Sequence, residues 1–140
     1  MTPTFKKVEV PVGKFIGWGP ASGPSTPPQQ VTLRVLNFDE VGGRDFNGNI
    51  CPQLVGTLTE PCTNYRDKGA TKETIPGGEL VTVTAGTANL RKGLLIANPS
   101  RDDVVRMTYD DTYKTANGDG KVITVEHAKA EGGSVGEDDL

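Results

Sequence analysis

The sequence predicts an all-β fold, built from short strands joined by turns and carrying one short helix. Three observations lead there. The 140 residues include 18 glycines and 10 prolines with no repeat, which is too much punctuation for a helical bundle. Apolar and polar residues alternate in several short runs, the period of half-buried strands. A helical period occurs in one segment alone. The length fits one domain, which the sequence places at residues 1–130, followed by an acidic tail at 131–140.

The elements follow in order. Residues 5–18 put Val8, Val10 and Val12 on one side of a strand. Pro11 removes an amide donor there, so the strand belongs at a sheet edge. Residues 19–30 hold four prolines and two glycines and read as a loop or arm. Residues 31–38 alternate Val31, Leu33 and Val35 against Thr32 and Arg34, and the parity changes at Leu36 and Phe38, which predicts a bulge. Asn47-Gly48 then turns the chain into a return strand over 53–59. Residues 60–78 read as a long polar loop, and 79–85 as the next strand, with Val81 and Val83 on one face. Thr87 is a helix N-cap candidate, Leu90 and Leu94 share a helical face, and Asn98-Pro99 ends that segment. Gly93 weakens the helix by about 1 kcal/mol relative to Ala. Residues 103–109 and 121–127 form a last hairpin whose loop carries Tyr113, Lys114 and the turn at 117–120.

The resulting order is β-β-β-α-β-β with an extra N-terminal strand. That is the order of an OB-fold, a five-stranded Greek-key barrel with a helix between its third and fourth strands. A β-sandwich or jelly-roll fragment is the alternative, and the helix in that slot favours the barrel.

Charge narrows the partners. The net charge is −3, yet Glu131, Glu137, Asp138 and Asp139 all lie in the last ten residues. Without them the body has fifteen bases against fourteen acids. A near-neutral body neither demands nor forbids nucleic acid; the placement of the bases decides. The N-terminus lacks the apolar stretch of a signal peptide, and no run is long enough to span a membrane, so the expectation is a soluble protein of the cytoplasm with no membrane partner. Cys51 and Cys62 are then expected as free thiols.

Single-stranded nucleic acid is bound by flat rings that stack on bases and by cations that track phosphates. Arg34 lies opposite the apolar face of its strand, and Arg106 alternates with Val105 and Met107. Tyr109, Tyr113 and Lys114 cluster at the last hairpin, while Tyr65, Arg66 and Lys68 sit in the loop at 60–78. Asp110 and Asp111 beside Tyr109 count against such a site. The tail tip, Glu137, Asp138, Asp139 and Leu140, can compete for a basic groove or dock on a partner. It serves equally as a solubilising segment.

Other chemistries find less. Cys51, Cys62 and His127 are the only soft metal ligands, too few for structural zinc. Asn117, Asp119, Gly120 and Glu126 match part of a calcium loop, but Thr115 occupies its first position and the flanks are strands. Neither a nucleophile elbow nor a phosphate loop is present, and no cysteine pairs obviously with the single histidine. A non-enzymatic protein without metal or cofactor is expected.

The stretches FNGNICPQL, PGGELVTVTAG and DDVVRMTYDDTY, followed by NGDGKVITVEHA, together resemble small OB-fold-like single-stranded-DNA-binding proteins of bacteriophages. The likeness covers residues 31–129 and rests on element order and turn chemistry. It implies a replication or recombination accessory in an infected bacterial cell, sequence-tolerant in its binding. Arg34, Tyr65, Arg66, Arg106 and Tyr113 would lie near the strand, and the tail would contact replication proteins. A structural or interaction protein, such as a virion decoration or tail component, is the competing expectation. The arm at 19–30 and the edge strand suit assembly, including assembly of a homo-oligomer.

Overall fold

A computed structural model describes residue 4 and residues 13–19, 28–45, 47–66, 71–115 and 118–130. Among these residues the elements run β1 (Lys14–Phe15), β2 (Gln29–Arg44), β3 (Ile50–Leu58), β4 (Cys62–Arg66), β5 (Thr71–Ile75), β6 (Leu80–Thr84), α1 (Ala88–Ala97), β7 (Val104–Thr115) and β8 (Gly118–Ala128). The chain is β-rich with one short helix, as its punctuation and alternation predict. None of the described helices is long and apolar enough to cross a membrane.

Six strands form a mixed sheet in the order β1-β6-β3-β2-β7-β8, and β4 and β5 form a separate pair. The run β7-β2-β3-β6 is a Greek-key order, in which a fourth strand returns to lie beside the first. Here the return carries α1. Strand β1 pairs parallel with β6; the remaining ladders are antiparallel. Among the described residues the sheet does not close, so the barrel expected from element order is an open, Greek-key sheet.

The inner face follows from alternation. Val31, Leu33 and Val35 on β2 are buried, and Arg34 between them is exposed. The register against β3 shifts between Val35 and Asn37, so Phe38 returns to the core side. This is the change of parity predicted at Leu36. Leu54 and Leu58 from β3, Val81 and Val83 from β6, and Val105 and Met107 from β7 complete that face.

Helix α1 contributes Leu90 and Leu94, both fully buried. Thr87 takes the extended N-cap conformation, but its hydroxyl makes no capping bond. Asn98 ends the helix in the left-handed region (φ 43°), donating its N–H to the Leu94 carbonyl. Gly93 has a packing reason to be there: a Cβ would sit 2.7 Å from Cγ2 of Val125 on β8. Asn89 Oδ1 accepts the Ile123 amide at 2.6 Å, so the helix also satisfies a donor on β8. An edge strand with unpaired amides invites pairing with other chains.

Three expectations are corrected. Residues 60–78 are not a loop: β4 and β5 pair from Cys62↔Ile75 to Arg66↔Thr71. Cys62 and Ile75 anchor this hairpin in the core, too few apolar positions to give the segment a readable period. Tyr113 and Lys114 are strand residues opposite Gly120 and Asp119, because the β7–β8 ladder runs on to Thr115↔Gly118. Backbone pairing there extends past the last apolar side chains. Gln29 and Gln30 belong to β2 and not to the Pro-rich arm. The proposed strand around Val8, Val10 and Val12, most of the arm (20–27), Lys68 and the tail at 131–140 lie outside the described residues.

Candidate nucleic-acid interface

The register of β2 on β7 sets two guanidinium groups side by side. Thr32 faces Arg106 and Arg34 faces Val104, so the two arginines are diagonal neighbours on the outward face. Diagonal positions in an antiparallel pair stand about 7–8 Å apart. Both side chains are exposed because Val31, Leu33, Val105 and Met107 take the inner face. Arg106 Nη1 lies 3.7 Å from Glu126 Oε1 on β8, with about half of each side chain in water. Such a surface pair contributes about 0–1 kcal/mol, so Arg106 can exchange that partner for a phosphate. Thr32, Val55 and Thr82 on the same face are buried, while Asp39, which takes that face of β2 beyond the bulge, is exposed.

A second feature lies at the β1 edge. An open cleft of about 430 Å³ has Lys14, Phe15 and Gly17 on one side and Asn64, Tyr65 and Glu73 on the other. Phe15 is 56% exposed. Two glycines bring the segment after β1 against β4. A Cβ at Gly17 would fall 2.0 Å from the Tyr65 carbonyl oxygen, and one at Gly19 would fall 2.4 Å from the Tyr65 ring. The Tyr65 amide donates to the Gly17 carbonyl at 3.2 Å.

Polar side chains lock this arrangement. Buried Asn64 accepts the Gly17 amide at 2.6 Å and donates to Glu73 Oε2 at 3.0 Å. Lys14 Nζ reaches Glu73 Oε1 at 3.4 Å. Buried Gln29 donates to the carbonyls of Gly17 and Thr63 and accepts the Gly19 amide, all within 2.9 Å. One glutamine thus satisfies three backbone groups from two segments, as a buried polar side chain must.

The residues singled out in the sequence are divided by the fold. Arg34 and Arg106 come together on one sheet face. Tyr65 lines the cleft instead. Tyr109 is in the core at 4% exposure, edge-on to Trp18 with ring centres 6.4 Å apart, so its ring is not offered to a ligand. That corrects its assignment to the binding set: in β7 it shares the inward parity of Val105 and Met107. Arg66, Tyr113 and Lys114 are described by strand position alone, in β4 and β7. Glu137, Asp138, Asp139 and Leu140 lie outside the described residues, as does Lys68. Lys14 and Phe15 escaped the sequence reading. Their signal was a lysine in step with the valines before it and an aromatic out of step, both between glycines.

Burial raises the thiols of Cys51 and Cys62, the latter to about 11, with Glu73 adding to the effect. Asp45 is held below the usual carboxylate value, first by the Asn49 amide, as it closes the turn into β3. Among the described residues no group of three or more His, Cys, Asp or Glu is placed to hold a metal ion.

No known protein family, curated protein or solved structure matches the chain.

Proposed function

We propose that the protein binds single-stranded nucleic acid without strong sequence preference, as a non-catalytic accessory of phage replication or recombination in the host cytoplasm. The observation that carries this reading is the diagonal pair Arg34 and Arg106 on the outward face of a Greek-key sheet. Two cations at that spacing can follow successive phosphates of one strand. The helix between the third and fourth strands of that key, β6 and β7, is what an OB-fold carries, and OB-folds are partly open barrels that bind oligonucleotides. The outward arginines supply affinity and exposed Phe15 supplies stacking, neither of which reads a base sequence.

A structural role in a virion draws on a different observation. Val41 and Ile50 near the β2–β3 turn are about 60% exposed, and Ile96 on α1 is 78% exposed. Exposed apolar side chains suit contact with another protein where they form a contiguous patch.

Titration of the purified protein with fluorescent oligo-dT and with duplex DNA, each at two salt concentrations, separates the two. The expected result is tighter binding of the single strand, weakening as salt rises. Absence of binding to oligo-dT at low salt would end the nucleic-acid reading and leave virion assembly, checked by co-purification with virions.

A further inference from the structure

We propose that the cleft between β1 and the β4–β5 hairpin is a subsite for one unpaired base of the bound strand, with Lys14 at its phosphate. This rests on the nucleic-acid reading above.

Four observations converge. The first is Phe15, a large ring left mostly in water on a two-residue edge strand. Its register with Thr82 puts it on the outward face, the face of Arg34. The order β1-β6-β3-β2 separates them by three strand spacings, or roughly 14 Å at about 4.8 Å per spacing.

The second is Tyr65. Gly19 lies against its ring and its amide is bonded to Gly17, so the ring is held before any ligand arrives. Binding to a fixed ring avoids part of the ordering cost. The third is charge. Lys14, turned to the opposite face of β1 from Phe15 by its register with Val81, stands at the rim 55% exposed in a surface pair with Glu73 that it can exchange for a phosphate, and exposed Lys72 lies opposite Tyr65 in register. Glu73 is more enclosed, fixed by Asn64. A carboxylate inside and ammonium groups outside favour a neutral base within and a phosphate at the mouth. The fourth is size: about 430 Å³ lies in the roughly 300–1,000 Å³ range of small-ligand sites.

The test uses the full chain and a fluorescent oligo-dT carrying 5-iodouracil. Irradiation should crosslink the oligonucleotide to Phe15 or Tyr65, located by mass spectrometry. Phe15→Ala should weaken binding on the order of tenfold with the salt dependence unchanged, because stacking carries no net charge. Lys14→Ala should instead lower the log–log salt slope by about 0.7. Phe15 is exposed, so its variant should fold, which its thermal melt would verify. Wild-type binding of oligo-dT with crosslinks confined to other elements, and with Phe15→Ala indistinguishable from wild type, would overturn the cleft assignment while leaving the nucleic-acid reading intact. Wild type that fails to bind oligo-dT at low salt would overturn both.

Discussion

Asp103 Oδ2 lies 2.7 Å from His127 Nε2, and this contact ties the end of β8 to the loop that follows α1. The same carboxylate accepts the amides of Ser100 and Ala130, each at 2.9 Å. The Asp103 carbonyl accepts the Val35 amide, so one residue joins β2, the α1–β7 loop and the chain leaving β8. The side chain is almost fully buried.

Acid should release this joint. Burial pushes the Asp103 carboxyl up, but the Ser100 amide, His127 and the Ala130 amide outweigh it and hold the group at about 2. Because the folded value is depressed, its contribution is complete above the unfolded value near 4 and is lost as pH falls through about 2. The expected loss across that window is about 2 kcal/mol. Asp103→Asn should be less stable at neutral pH and should lose less between pH 4 and pH 2. Urea melts followed by Trp18 fluorescence would show it; parallel curves for the two proteins would refute the assignment.

The arginine pair predicts a charge-sign pattern in binding. Arg34→Ala and Arg106→Ala should each weaken oligo-dT binding and reduce its salt slope by about 0.7. Glu126→Ala should do the reverse and tighten binding at low salt, because it removes the acid that faces Arg106. All three positions are exposed, so folding stability should move by about 0.5 kcal/mol or less. Equal binding by Glu126→Ala and wild type would show that Arg106 does not meet the ligand.

Gly93 tests the seat of α1. Alanine there gains about 1 kcal/mol of helix propensity but meets Val125. Overpacking a core costs about 1–3 kcal/mol, so Gly93→Ala should be destabilising. Adding Val125→Ala should recover part of the loss, a coupling that a double-mutant cycle in urea would measure. Additive effects would mean that the helix shifts freely on β8.

The two thiols should be silent in the native protein. Cys51 and Cys62 are buried, unpaired and lie on different strands, β3 and β4. With Cys62 raised to about 11, little thiolate exists at neutral pH. A thiol reagent should label neither residue until denaturant is added, and then both without prior reduction. Recovery of a Cys51–Cys62 disulfide from fresh lysate would contradict the expectation of a reducing compartment.

What the sequence shows clearly is whatever neighbouring residues decide between themselves. Val31, Leu33 and Val35 alternate, so β2 and its buried face are legible, as is the bulge before Phe38. Leu90 and Leu94 mark α1, and Asn98-Pro99 its end. The β4–β5 hairpin is not legible, because among its described residues Cys62 and Ile75 are the only core apolar anchors and thirteen positions separate them.

The outward placement of Arg34 and Arg106 also follows from alternation within each strand, and so the sequence could name both. Their adjacency could not be read there, because it depends on the register of Thr32 on Arg106 across 74 positions. Tyr109 looked like a surface ring beside two acids, yet the inward parity of β7 buries it against Trp18. Lys14, Phe15 and Tyr65 looked unrelated, yet two glycines and the side chains of Gln29 and Asn64 bring them to one cleft. Local alternation tells which side chains leave a strand's buried face; only the hydrogen-bonded register and the close approach of distant backbones decide which of them meet.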